Sequence, residues 1–261
     1  MTGFISGEGF SKTFAYRNMI IQGLGTTVLL ALFTVLIGFL LGIVLAVLRM
    51  TDIRPLRFLA YGKNGRIRSN KALIALSKFN PVATIAAIYV EVIRSTPVIV
   101  QIMLIYHGVF RLIDLPNFTI FGFIRFQRFI PGVVALGLNS AAYLCEIIRS
   151  GIQSIDGGQS EAARSLGMTK FQTLIHIILP QAIKNILPAI ANEFVTIIKE
   201  SSICWTIGVQ EIMSAVNSIK AATYTCGEAL IIAACVYFCL TFPTSKIIEH
   251  FERKMSRGDK R

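Results

Sequence analysis

A few polar side chains stand where an oily chain has least use for them. Glu91 and Arg94 lie three apart in the run 81–110, Glu146 lies in the run 129–150, and Glu193 lies in the run 183–198. An ionisable group inside a membrane helix is costly, and its default reading is functional, facing a cavity or a partner. Glu91 and Arg94 share one helix face. Either they neutralise each other, or Arg94 faces a pathway and meets a substrate carboxylate through a charge-assisted, two-pronged contact. Pro97 supports the second reading, because a helix broken beside Arg94 frees backbone groups for a ligand. Gln101 follows seven residues after Arg94. Asn139, Tyr143 and Glu146 fall at i, i+4 and i+7, one continuous stripe. Such a stripe either packs helices by hydrogen bonds or offers amide, phenol and carboxylate to an amino acid with a cationic or polar side chain. Asn192 and Glu193 follow Pro188 on a further segment.

Other chemistries find no support. His107, His176 and His250 are scattered without metal-ligand spacing, and no serine–histidine pair can be argued. No metal site or cofactor is expected. There is no GxxxxGK[ST] phosphate loop, so ATP is not bound and hydrolysed by that route and energy must come from a partner. The residues do not read as those of an enzyme. The five cysteines form no CxxC pair and read as small residues of membrane helices.

The elements that must hold these residues are membrane helices. The chain has 261 residues, 54% of them apolar, and residues 20–48 contain no charge. About 20 apolar residues suffice to cross a bilayer. Five spans are expected: 20–48, 81–110, 129–150, 183–198 (interrupted at Pro188) and 229–248. Residues 1–19 form a mixed N-terminal segment in which 6–19 suggests a short interfacial helix. No cleavable signal is read there, because the apolar run behind it is too long. Residues 112–128 read as a loop, and 201–227 are ambiguous, with 201–219 a candidate partial helix.

The net charge of +12 reflects location rather than nucleic-acid binding. Basic residues crowd the connector 49–80 and the C-terminal end, including the tail 251–261. Lys and Arg concentrate on the cytoplasmic side. With the N-terminus outside, the inner side holds eight of them in the connector, four around residues 149–184 and six towards the C-terminus. The outer side then holds seven, so N-out and C-in is preferred.

Residues 154–180, within the membrane-spanning domain 20–250, are unlike the rest. A turn at 154–159 leads into a short helix, 159–166, ended by Gly167, which tolerates the left-handed conformation past a helix end. Thr169 and Gln172 make a capping box for a second helix expected to stop at Pro180. Glu161 and Arg164 can anchor a partner by ion pairs, and Ala162 and Ala163 let its surface come close.

The spacing E-A-A-x3-G-x9-I-x-L-P, met at Glu161, Ala162, Ala163, Gly167, Ile177, Leu179 and Pro180, resembles the EAA motif of the membrane subunits of bacterial ABC importers. The segments YVEVIRSTPVIVQIMLIYHG (89–108), LNSAAYLCEIIRSGIQSI (138–155) and LPQAIKNILPAIANEFVTIIKESSI (179–203) resemble the permeases of polar amino-acid importers of the histidine/glutamine type. The family's R-x-T-P falls at Arg94, Thr96 and Pro97. The chain departs from that family in its longer basic connector and in Glu200–Ser201, where the family often has aspartate followed by Thr or Ser. The resemblance implies an all-α type I ABC importer fold in a bacterial plasma membrane. It implies that the hairpin is a coupling helix carrying Glu161, Ala162, Ala163, Arg164 and Gly167, seated in a groove of a cytoplasmic ATPase. A second permease chain and an external substrate-binding protein complete the assembly. The alternatives are the same architecture for another small solute such as methionine, an opine or an organic anion, an ion-coupled secondary transporter working alone, or a non-transport anchor.

Overall fold

The computed structural model describes residues 5–55 and 71–256. Residues 56–70 of the connector and 257–261 of the tail lie outside the described residues.

The N-terminal segment carries helix α1, Gly7–Phe14, capped by Ser6, whose hydroxyl accepts the Gly9 N–H at 3.0 Å. Helix α2, Arg17–Met50, takes up the charge-free run. Its 34 residues extend about 50 Å at 1.5 Å per residue, more than a bilayer needs. A short helix α3, Lys71–Ser77, closes the connector. Helix α4, Pro81–Ser95, begins with Pro81 at its first turn and Asn80 as its cap. The Asn80 amide also donates to the Thr51 carbonyl, so the two ends of the connector are tied together.

The chain breaks at Thr96–Pro97 and turns by 111° into α5, Val98–Leu104, which continues as a π turn, Ile105–Val109. The Pro97 disturbance is therefore a sharp bend inside one span. The region read as a loop holds a small antiparallel hairpin, β1 Thr119–Ile120 with β2 Ile124–Arg125. Helix α6, Phe126–Gln153, follows at once and runs through Pro131.

The polar stretch folds as a helix–Gly turn–helix. Helix α7, Gly157–Ser165, is capped by Asp156, and Gly167 sits at φ +87°. Thr169 and Gln172 form the capping box of α8, Lys170–Thr173. The second helix does not stop at Pro180, and Pro188 does not interrupt the next one. A π turn at Leu174–Ile178 leads straight into α9, Leu179–Glu200, so that Lys170–Ile207 is one helical run of 38 residues. Proline breaks a helix by losing a donor and clashing with the carbonyl four residues back. The wider π turn moves that carbonyl away from Pro180, which then occupies the first turn of α9. Around Pro188 the helix is held by packing: Ala182 and Ile186 are buried in the cluster shared with α6.

The ambiguous region 201–227 resolves into a 3₁₀ turn, Ser201–Ile207, and α10, Ile212–Thr223, before α11, Cys226–Ser256. Among the described residues four helices are long and apolar enough to cross a membrane, and the bent α4–α5 pair, taken as one span, would be a fifth.

The core is organised by α2 against α6, the most extensive helix pair. Buried small residues recur every four positions along α2 at Thr34, Gly38, Gly42 and Ala46. At Gly38 an added Cβ would lie 2.9 Å from the Ser140 side chain; at Gly42 it would lie 2.9 Å from the Leu144 Cβ and 3.1 Å from the Cys145 N. Small residues let membrane helices approach closely, where packing and hydrogen bonds replace the hydrophobic drive that lipid cannot supply.

Gly42→Val should lower stability by about 1–3 kcal/mol through overpacking, read as a lower unfolding midpoint in detergent. An unchanged midpoint would show that the two helices can separate at no cost. Thr34→Val should behave oppositely. The Thr34 hydroxyl is fully buried and has no hydrogen-bond partner among the described residues. Removing an unpaired buried hydroxyl in an isosteric exchange should be neutral or stabilising by about 1 kcal/mol in the same measurement.

Candidate functional site

A helix broken inside an apolar layer leaves carbonyls without donors, and none can stay unpaired there at low cost. Gln101 answers this need. Its Nε2 donates to the Ile93 carbonyl at 2.7 Å, the Thr96 carbonyl at 3.1 Å and the Thr96 hydroxyl at 2.7 Å. The amide of Asn139 on α6 donates to the Gln101 Oε1 at 2.9 Å. Gln101 and Asn139 are both buried. Nearby, the Tyr89 hydroxyl donates to the Leu138 carbonyl at 2.8 Å and pins α4 to α6. The break is thus braced from two sides.

Arg94 leaves the last turn of α4 just before the break and stays exposed. Its guanidinium carbon lies 5.7 Å from the centre of the Tyr143 ring, in the range of a cation–π contact. Among the described residues there is no Glu91–Arg94 ion pair. The two share a helix face without joining, and Glu91 instead lines an open recess with Arg49 and Arg149. Arg94 and Tyr143 therefore present a cation and a phenol on an uncovered surface, directly beside the braced break.

The remaining sequence-derived residues make their hydrogen bonds to other partners. The Glu146 carboxylate is held by two arginines. Arg49, at the end of α2, reaches Oε2 at 2.6 Å, and Arg149, one turn along α6, contacts Oε1 and also reaches Oε2 at 3.2 Å. Its two oxygens are both taken up by these arginines. Glu193, on α9, accepts the Ser140 hydroxyl at 3.2 Å. Ser140 follows Asn139 but points about 100° around the helix, so Glu193 meets α6 on a different side from Gln101.

In the hairpin, Glu161, Ala162, Arg164 and Gly167 are exposed, whereas Ala163 is 5% exposed and faces the chain's own interior. Of the two alanines only Ala162 offers a small surface outward. The Met168 N–H donates to the Ala163 carbonyl at 3.2 Å and the Gly167 N–H to the Arg164 carbonyl at 3.0 Å. These bonds close the end of α7 with the glycine in the left-handed region.

Two contributors were not singled out from sequence. Ser140 looked like an ordinary small residue, and Arg49 looked like part of a basic connector. The one signal pointing at Ser140 was the four-residue spacing of small residues on α2, which must meet a partner stripe.

The brace can be tested by a double-mutant cycle. Gln101→Leu strands the carbonyls at the break and should cost about 1–3 kcal/mol, and Asn139→Leu leaves the Gln101 oxygen without its donor. The double variant should cost less than the two together by about 0.5–3 kcal/mol in detergent unfolding. Strict additivity would mean that the two side chains act independently.

Comparison with known proteins agrees with this layout. Residues 72–257 match the family described as the binding-protein-dependent transport system inner membrane component. The arginine transport system permease protein of Bacillus subtilis is 38% identical over 250 residues, covering 96% of this chain and 98% of that one. The nopaline transport system permease protein of Agrobacterium fabrum is 37% identical over 225 residues, 85% of this chain and 82% of that one. The crystal structure of an amino acid ABC transporter with histidines matches with a TM-score of 0.76 at 38% identity, over 94% of this chain and 98% of that one. The inward-facing MetNI methionine ABC transporter matches in fold, with a TM-score of 0.58 at 17% identity over 90% of this chain and 96% of that one. The chain, with its long apolar helices and exposed Gly-turn hairpin, belongs to the family of inner membrane components of binding-protein-dependent transport systems.

Proposed function

We propose that this chain is the permease subunit of an ATP-binding-cassette importer for polar amino acids. It supplies one half of the pathway, with its N-terminus outside and its C-terminus in the cytoplasm of a bacterial cell. The observation that carries the substrate reading is Arg94, an intramembrane cation without a carboxylate partner among the described residues, exposed over Tyr143 beside a braced helix break. A bare guanidinium in a low-dielectric setting calls for a carboxylate. The relatives named for arginine and nopaline transport are named for molecules that carry one.

Each residue takes a role in this reading. Arg94 holds the substrate carboxylate and Tyr143 flanks it. Gln101 and Asn139 keep the break in shape and border the site. Glu193, which accepts the Ser140 hydroxyl on another side of α6, ties α9 to α6 and does not meet a substrate held at Arg94. Glu146 braces α2 to α6 through Arg49 and Arg149. Because Arg94 and Tyr143 are uncovered in one chain, a second permease copy or homologue closes the cavity. The exposed α7 hairpin seats a cytoplasmic ATPase through Glu161, Ala162, Arg164 and Gly167. A binding protein delivers substrate from outside, and rocking of the two halves gives alternating access. A secondary transporter working alone is disfavoured by the family, which depends on a binding protein.

Uptake of labelled amino acids by reconstituted complexes tests the site. Arg94→Lys should reduce uptake of arginine, histidine and glutamine alike, by the equivalent of about 2–5 kcal/mol, because lysine cannot reproduce the forked contact. Full uptake would remove the carboxylate clamp. Glu146→Gln should lower all three by the same factor, since it loosens a brace. A selective loss of the cationic substrates would return it to the site.

Gly167→Val tests coupling. A β-branched residue resists positive φ, so the variant should insert normally yet lose co-purification with the ATPase. Retained co-purification together with retained uptake would show that the hairpin is not the coupling element.

A further inference from the structure

The hairpin at 119–125 is not used by the pathway or by the coupling element, yet it is built with care. The Phe126 N–H donates to the Phe118 carbonyl at 3.1 Å, the Gln127 amide donates to the Leu115 carbonyl at 2.7 Å, and the rings of Phe118 and Phe126 stack with centroids 4.5 Å apart. Ile124, 1% exposed, anchors the hairpin in the core. Its tip is the opposite. Phe121 is 74% exposed and sits at φ +51°, with Gly122 beside it at φ +76°. Holding a bulky aromatic residue in the left-handed region costs energy, and such strain gathers at working surfaces. The surrounding hydrogen bonds and packing hold Phe121 outward, where no described residue covers it.

Behind the tip lies a polar recess of about 320 Å³, lined in part by Gln22, Thr119, Arg125, Gln210, Ser214 and Ser218. Arg125 is exposed and makes no ion pair or side-chain hydrogen bond among the described residues. The nearby Arg128 is already engaged with the Ile207 carbonyl at 3.4 Å and the Tyr106 ring at 5.2 Å. The recess therefore offers amides and hydroxyls around one uncommitted cation. This set suits a carboxylate, with an aromatic anchor at its edge. An arginine and an aromatic ring, both exposed and held in place, are the side chains that most often dominate protein interfaces.

The place of this surface selects its partner. Helix α6 begins at Phe126 against the hairpin and ends at Gln153, just before the α7 hairpin. Its 28 residues put about 40 Å between the two. A surface opposite the ATPase-docking end faces the side from which a binding protein delivers substrate, and dependence on such a protein is what this family's description states. We propose that the 119–125 hairpin and the recess behind it are the docking site for the external binding protein. An acidic side chain of that protein enters the recess at Arg125, and Phe121 packs against its surface. This rests on the permease reading and on the N-out orientation given above.

The test uses the full complex in proteoliposomes with its own system's binding protein, identified as the one that stimulates ATP hydrolysis by the wild-type complex. Arg125→Glu and Phe121→Ser should each raise the half-stimulating concentration of binding protein at least about tenfold, equivalent to about 1.4 kcal/mol. Basal hydrolysis, co-purification with the ATPase and the maximal stimulated rate should stay unchanged. Arg125→Gln should also flatten the dependence of half-stimulation on salt, because a rim charge acts through a screened field. In a background without native cysteines, Phe121→Cys should be labelled from outside and cross-link to the binding protein. Half-stimulation within about twofold of wild type in both variants would overturn the proposal, since neither side chain would then be a significant contact. So would cross-linking of Phe121→Cys to a second permease copy, or its labelling from the cytoplasmic side only. A wild-type complex that no binding protein stimulates would instead remove the permease reading, which the Gly167→Val co-purification tests independently.

Discussion

Two turns of α6, residues 139–146, carry polar contacts to four neighbouring elements, and the close approach of α2 fixes their position. Gly38 and Gly42 leave no room between α2 and residues 140–145. Ser140 backs onto Gly38 and donates to Glu193; Asn139, next to it, holds Gln101; Tyr143 lies under Arg94; Glu146 receives Arg49 from α2 itself. Four polar contacts to four separate elements are thus referred to a single crossing. In an apolar surrounding, helices gain little by hiding surface from lipid, so a crossing without side chains in the way is what makes their relative position definite.

The bend at Thr96–Pro97 follows from the same economy of polar groups. A broken helix at membrane depth is tolerated where its freed carbonyls are satisfied by protein. Gln101 satisfies them from the segment beyond the break, and Asn139 holds Gln101 from outside. Because the brace takes both amides, the group left with open valence at the bend is Arg94. The division of labour between bracing residues and a presenting residue is set by hydrogen-bond capacity: a primary amide has two donors and an acceptor to distribute, whereas a guanidinium on an exposed turn keeps most of its donors.

What was legible in the sequence was what is encoded over a few neighbouring residues. The charge-free run of α2, Pro81 at a helix start, the disturbance at Pro97, the left-handed Gly167 and the Thr169–Gln172 capping box all depend on local geometry, and all are found. The continuity through Pro180 was not legible, because it depends on a π turn that no local propensity announces. Nor was the β1–β2 hairpin, whose two-residue strands are too short to show alternation and whose turn uses Phe121 at positive φ where local rules would place Gly or Asn. The partners that Glu146 and Glu193 find on other helices were hidden for a third reason. Arg49 and Ser140 meet them only through the rotation of whole helices about one another, and no spacing within one segment reports that rotation.

The unbroken run from Lys170 to Ile207 has a mechanical consequence. A single rod joins the capping box of the hairpin to the Glu193 carboxylate, and Gln172 to Glu193 is about 30 Å of helix at 1.5 Å per residue. Tilting such a rod by about 5° sweeps its far end through about 3 Å, roughly the length of one hydrogen bond. The contact between Ser140 and Glu193 measures 3.2 Å. A lever of these proportions needs no hinge and no relay of side chains: a small push at the Gly-turn end is enough to make or break that contact at the other.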